Sequence, residues 1–370
     1  MPFTRVCTQI LDDGTATPHG GQDWRSCTDF EHDFSVTTNG MGPPESALKK
    51  AYNVDISHYP PANFEPHVSH LADFLWCGNG AEHCNTLLLG NGASELIDLV
   101  IRSFSDSSAA NLKWRPGDSI AQYQEYERCA TECGYLKASE DDKTADLLCM
   151  VNPNNPSGRY RSLEEMKQYI EGTCKDNSVV VVDESMQPWL GKHWRDDSLS
   201  SQVQWRHTLA TTKGIKVFVI HSWTKLFACT ALRIGSIIAP LPTDVVRMKR
   251  KQIPWSVNSI ALAFISEAIS DHKFLEQTWL LTKHWRRHLV KLLQENFPKW
   301  SLFGEDFLPW IWIDTMCENE AAQVYEISKM IGMPIRHAKY GYKMPTFIRI
   351  AVRDFYLSDK LVMQLSTALK

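Results

Sequence analysis

A lysine, an aspartate, an asparagine and a glycine turn each stand where an apolar run of this 370-residue chain ends. Lys225 lies in His221-Ser222-Trp223-Thr224-Lys225, after Val217-Phe218-Val219-Ile220 and shortly before Arg233-Ile234-Gly235. The apolar run reads as a short buried strand, and loops at the ends of such strands are where α/β proteins keep their chemistry. An amine held partly desolvated there has a lowered pKa and is free to form a Schiff base; the same lysine also suits a plain surface position after a strand. Asp183 closes the run Val179-Val180-Val181-Val182, where a buried carboxylate is costly unless paired; an N-cap or a loop salt bridge would also use it. Asn155 lies in Asn152-Pro153-Asn154-Asn155-Pro156-Ser157-Gly158, which no helix or strand can contain and which reads as a rigid polar turn. Leu87-Leu88-Leu89 runs into Gly90-Asn91-Gly92-Ala93-Ser94-Glu95. A glycine turn opening a helix offers backbone N–H groups and the positive end of the helix dipole to a phosphate. Neither a P-loop nor a dinucleotide fingerprint is present, and a plain N-cap by Ser94 or Asn91 also fits.

The elements that must position these residues alternate. Leu96, Ile97, Val100, Ile101 and Phe104 recur at helical spacing, a helix spans Glu125 to about Cys133, and Ser162-Leu163-Glu164-Glu165 is a capping signature. Strands alternating with helices predict an α/β fold with a mostly parallel central sheet and helices on both faces. From about Ser259 to Phe297 a long helix pair is expected, and short strands around Trp310–Ile313 and Phe347–Val352 with helices around 319–331 and 357–369 predict a small α+β C-terminal domain. The expected organisation is an N-terminal arm over 1–45, a large domain over 46–258, and an interdomain helix with the small domain over 259–370.

The formal net charge is −4, and no concentrated basic face points to nucleic acid; Arg247-Met248-Lys249-Arg250-Lys251 reads as a solvated helix face. No apolar run approaches the roughly 18 residues of a spanning helix, and the start lacks the apolar stretch of a signal peptide, so a soluble cytoplasmic protein is expected. Ten cysteines lie scattered without a C-x-x-C pair, as buried small hydrophobes do. His284 and His288 have metal-ligand spacing, but Trp285-Arg286-Arg287 replaces the glutamate of a zinc-protease motif, and no metal is expected.

Taken together over nearly the whole chain, G-N-G-A-S-E-L-I at 90–97, N-P-N-N-P-S-G at 152–158, D-E at 183–184, S-W-T-K at 222–225 with L-R-I-G at 232–235, and I-R-I-A-V-R-D at 348–354 resemble fold-type-I enzymes that use pyridoxal 5'-phosphate (PLP). The branch they resemble holds L-threonine-O-3-phosphate decarboxylase and histidinol-phosphate aminotransferase. The resemblance implies that Lys225 carries the cofactor as a Schiff base and shuttles protons at the substrate carbon. It implies that Asp183 sits against the pyridine nitrogen, that Asn155 donates to the ring oxygen and that Tyr123 stacks on the ring. The phosphate would lie among the amides of Ala93 and Ser94, the hydroxyls of Ser222 and Thr224, and Arg233. Tyr59 would reach the phosphate of a neighbouring subunit, which implies a homodimer with shared sites. Arg349 would take the substrate α-carboxylate, Arg336 a second substrate anion, and Asn39 would lie near the substrate.

His19-Gly20-Gly21, Asp33-Phe34-Ser35, His58-Tyr59-Pro60 and Arg349-Ile350-Ala351-Val352-Arg353 look like the decarboxylase. Met186 stands where many aminotransferases carry a tyrosine that bonds the ring oxygen. Ser185, His221, Thr37 and Gly40 depart from the family pattern, and Trp189, Trp310 and Trp312 suggest an aromatic pocket wall. The expected activity is α-decarboxylation of a small anionic, phosphorylated or phosphonylated amino acid. Transamination to an α-keto acid is the alternative, and a non-catalytic PLP-fold binding protein a remote third.

Overall fold

The computed structural model describes residues 21–27, 29–105, 111–118 and 120–369. His19 and Gly20, and the first 18 residues of the expected arm, lie outside the described residues.

Seven strands form the central sheet: β1 (Leu87–Asn91), β2 (Lys113–Pro116), β3 (Leu136–Lys137), β4 (Ala145–Val151), β5 (Cys174–Asp183), β6 (Lys216–Ser222) and β7 (Ile234–Ile238). Their spatial order is β1-β7-β6-β5-β4-β2-β3. Only β7 runs against the others; β3, β2, β4, β5 and β6 pair in parallel. The unbroken apolar runs follow from this placement, because a parallel strand covered on both faces has no side to leave polar. Val180, Val182, Val217 and Val219 feed one core, together with Leu148 and Met150. Their neighbours Val179, Val181, Phe218, Ile220, Leu147 and Cys149 feed the other. The helix Gly92–Phe104 and the helix Glu125–Glu132 cover this second face. Leu163–Thr173 and Ser259–Ala268 cover the first. The capping signature at 162–165 forms as a full capping box.

The small domain is a four-stranded antiparallel sheet of β8 (Ser301–Phe303), β9 (Trp310–Asp314), β10 (Arg336–His337) and β11 (Phe347–Ala351), ordered β10-β11-β9-β8. It packs on the 25-residue helix His272–Asn296 and on the helix Phe355–Ala368. Part of the expected arm belongs to this domain. Phe34 is fully buried in its core, Phe34 N–H donates to the Pro334 carbonyl, and Ala351 N–H donates to the Phe34 carbonyl. Arg353 is buried and laces the arm down. Its guanidinium donates to the carbonyls of Asp33, Val36 and Thr38. No helix among the described residues is long and apolar enough to cross a membrane.

Candidate active site

The C-terminal ends of β4, β5 and β6 and the helix that follows β1 open onto one cavity of about 640 Å³, closed on its other side by the small domain and the arm. Ala93, Ser94, Tyr123, Asn155, Asp183, Ser222, Lys225, Arg233, Arg336 and Arg349 all line it. A parallel sheet concentrates ligand sites at this edge, where its strands end and loops begin.

Lys225 lies in the single helical turn Trp223–Leu226 directly after β6. Its enclosure pushes the amine down to about 8, with help from the charge of Arg233 and against the pull of Asp183. Its Nζ lies 3.2 Å from Thr224 Oγ1. Asp183 is the last residue of β5, next to Val151 of β4 and Ile220 of β6. Burial raises its carboxyl pKa; Ser185, Tyr126 and the Lys225 charge oppose that rise. Tyr126 OH donates to Oδ2 at 3.0 Å and Ser185 N–H to Oδ1 at 2.8 Å. Both oxygens are thus held, and the carboxylate stays aimed across the cavity floor. Tyr126 and the hydroxyl of Ser185, which accepts from Ser222 N–H at 2.7 Å, are functional supports that the sequence reading missed. Tyr126 sits on the buried side of a helix, where an aromatic reads as core, and only the fold brings it to Asp183.

The turn after β4 is braced as its amides suggest. Asn154 Nδ2 donates to the Ala121 carbonyl at 2.8 Å, and Asn152 exchanges two bonds with the backbone of Arg161. Asn155 is left facing the cavity. Its Oδ1 accepts from Arg349 Nη1 at 2.6 Å, which orients Nδ2 as the donor. Tyr123 presents its ring to the cavity, its hydroxyl 3.4 Å from Ser94 Oγ, and burial pushes the phenol up to about 12.

At the start of the helix Gly92–Phe104 no side chain caps the first turn; Asn91 instead gives its own N–H to Glu95 Oε2. The plain N-cap therefore does not form, and the first-turn amides keep their unpaired positive end. Gly92 has φ +79°, and a Cβ there would lie 2.6 Å from Arg233 Nη2. A Cβ on Gly235 would lie 2.7 Å from Ala93 N. Two glycines thus let a guanidinium and a helix start approach one point. Ser222 Oγ and Thr224 Oγ1 lie 2.9 Å apart beside it. Oxyanion donors converge here from three chain segments, as a phosphate requires.

Arg336 and Arg349 stand directly opposite each other on β10 and β11, both almost buried. Arg349 donates Nη2 to the Ser35 carbonyl at 2.8 Å, while its buried Nε has no partner among the described residues. Two guanidiniums thus stand side by side at the cavity wall, where a ligand with two anionic groups would find a complement. Arg336 is also tied to the Tyr340 carbonyl at 2.8 Å.

Two expected site residues lie elsewhere. Asn39 is buried outside the cavity lining; its Nδ2 donates to the Leu226 carbonyl and to Thr278 Oγ1, and its N–H donates to the Lys225 carbonyl. It fixes the arm to the lysine turn. Tyr59 is 78% exposed and stacks on Trp255 at 4.6 Å, away from the cavity of its own chain. The expected tryptophan wall is also different. Trp189 and Trp310 are core, with Trp310 Nε1 bonded to the Pro156 carbonyl, and the aromatic lining comes from Trp24, Tyr123 and Tyr342. Met186 does line the cavity. No group of three or more metal-ligating side chains occurs among the described residues.

A lysine of lowered pKa, a held carboxylate, an amide donor and a set of phosphate-type donors in one cavity fit PLP, whose aldehyde, ring nitrogen, ring oxygen and phosphate would each meet a complementary group.

Comparison with known proteins agrees. Residues 51–354 match the family described as aminotransferase class I and II. A histidinol-phosphate aminotransferase of Haemophilus influenzae is 26% identical, covering 90% of this chain and 88% of that protein. The threonine-phosphate decarboxylase of Salmonella typhimurium is 27% identical, covering 69% of this chain and 68% of its own length. Among solved structures, histidinol-phosphate aminotransferase of Sinorhizobium meliloti in complex with pyridoxal-5'-phosphate superposes with a TM-score of 0.78, covering 100% of this chain and 98% of that one at 16% identity.

Proposed function

The chain belongs to the aminotransferase class I and II family and is a PLP enzyme, and we propose that it acts on a small amino acid carrying a second anionic group, with α-decarboxylation as its reaction. The single observation behind the substrate class is the pair of buried guanidiniums facing one cavity, Arg349 beside the cofactor residues and Arg336 next to it. Arginine pairs with planar oxyanions through a fixed fork of donors. Arg349, already bonded to Asn155, is placed to take the α-carboxylate, and Arg336 the distal phosphate or phosphonate.

PLP, when bound, supplies an aldehyde for amine exchange and a ring that accepts electrons from the substrate α-carbon. The chain supplies the rest. Lys225 Nζ holds or releases a proton near neutrality because its enclosure lowers its pKa to about 8, which suits a group that moves protons at the substrate carbon. Asp183 holds the proton of the ring nitrogen, and Tyr126 and Ser185 hold Asp183. Asn155 Nδ2 donates to the ring oxygen, and Met186, at the cavity wall, adds no donor. Tyr123 covers the ring face. Ala93, Ser94, Ser222, Thr224 and Arg233 hold the phosphate. Tyr59, exposed beside Trp255, completes that cradle from a second copy of the chain, so the working unit is a homodimer. The small domain and arm cover the cavity and exclude water.

The experiment is incubation of the PLP-loaded protein with O-phospho-L-threonine, with and without an α-keto acid. Carbon dioxide released without the keto acid is expected. Turnover that requires the keto acid would make the protein an aminotransferase, the reading favoured by its match to histidinol-phosphate aminotransferase over nearly the whole length of both chains.

A further inference from the structure

Tyr342 is a cavity residue that none of the roles above uses. It lies in the segment Lys339–Tyr342, which leads from β10 back to β11. Gly341 before it has φ +98° and Lys343 after it φ +57°. A lysine in the left-handed region is held only where the surroundings over-determine it, and here it and Gly341 flank one side chain in the cavity wall. The ring is fixed from behind, edge-on to Trp312 at 6.0 Å and 81°. Trp312 is the cross-strand partner of Arg349. The row across the small sheet is therefore Arg336, Arg349, Trp312, and Tyr342 packs against the Trp312 end of it, away from Arg336. Its phenol is electrostatically coupled to both the Arg349 guanidinium and Tyr123. Its hydroxyl has no hydrogen-bond partner among the described residues, and neither has the buried Nε of Arg349.

We infer that Tyr342 is a substrate-binding residue whose hydroxyl donates to the α-carboxylate held by Arg349, on the side away from Arg336. This rests on the reading of the cavity as an α-amino-acid site. A carboxylate offers about four lone-pair sites, more than the three N–H groups left to Arg349 once one on Nη1 and one on Nη2 bond Asn155 and Ser35. A second donor also fixes where the carboxylate lies, and with it the rotation about the Cα–N bond on which the choice of bond to break depends. Tyr342 is thus a determinant of reaction outcome as well as of affinity.

The test compares two ligand pairs that differ only in the α-carboxylate, L-serine with ethanolamine and O-phospho-L-serine with O-phosphoethanolamine. Binding is measured by calorimetry on PLP-loaded protein in a Lys225→Ala background, so that nothing turns over. Tyr342→Phe is expected to reduce the preference for the carboxylated member of each pair by about tenfold or more, the worth of a hydrogen bond to a charged group, while binding of both carboxylate-free amines is unchanged. An unchanged preference overturns the inference. So does equal weakening of acids and amines, which marks a structural role, or loss confined to the phosphorylated ligands, which places the phenol at the distal anion. If the background protein binds O-phospho-L-serine no better than L-serine, the second-anion reading fails on its own, and the serine and ethanolamine pair still decides the role of Tyr342.

Discussion

On the proposed reading Lys225 carries the chemistry, because its enclosure in the cavity wall weakens its hold on a proton. Its pKa, lowered to about 8 from an ordinary 10.5 by burial and by Arg233, makes the neutral amine available above pH 8. Labelling of Lys225 in the cofactor-free chain by an amine-specific reagent should therefore rise with a midpoint near pH 8, read by peptide mass spectrometry; a midpoint near 10.5 would contradict the enclosure. The sign of the linkage follows. Between pH 8 and 10.5 the unfolded chain binds the proton that the folded chain has lost, so this group adds stability as pH rises through that window. The lysine, Asp183, Asn155 and Arg233 were legible in the sequence because each follows a recognisable apolar run or turn. Tyr126, Ser185 and Tyr342 were not, because their partners are distant in sequence or belong to a ligand. The anchoring of Asn39 was not legible either: an asparagine before a turn gives no sign that its amide bonds Leu226 and Thr278.

At the scale of elements, the site is a set of strand ends and helix starts brought to one edge of a sheet. The turn from β1 into Gly92–Phe104 depends most on its sequence. Gly92→Ala would force a left-handed residue with a Cβ against Arg233, at a cost of about 1–2 kcal/mol in stability. It would also displace a charged donor from the phosphate position, so retention of PLP on dialysis should weaken about tenfold or more. Retention equal to the unmodified protein would mean that the phosphate does not sit between Gly92 and Arg233. The parallel sheet was readable because β4, β5 and β6 are unbroken apolar runs, which only strands buried on both faces need. The reversed direction of β7 was not, since a strand buried on both sides of a sheet looks alike in either direction. The arm was read as separate because its polar composition hides what secures it, the backbone carbonyls that Arg353 gathers.

At the scale of the molecule, the exposed Tyr59–Trp255 stack has no role within its own chain, and the proposed homodimer would give Tyr59 one at the phosphate cradle of its partner. In a mixture of Lys225→Ala and Tyr59→Ala chains, hybrid dimers contain one site with both residues intact. Activity at limiting PLP should then exceed the sum of the two parents after refolding together; activity that never exceeds that sum would argue for sites complete within one chain. The proposed dimer rests on the family resemblance, because a second copy leaves no mark on periodicity or motif spacing.

The whole account rests on one covalent position. The PLP-loaded protein should be yellow, lose that colour on borohydride reduction, and yield a single modified peptide with the cofactor fixed to Lys225. A cofactor that dialyses away unreduced, or one fixed to any other lysine, would contradict it.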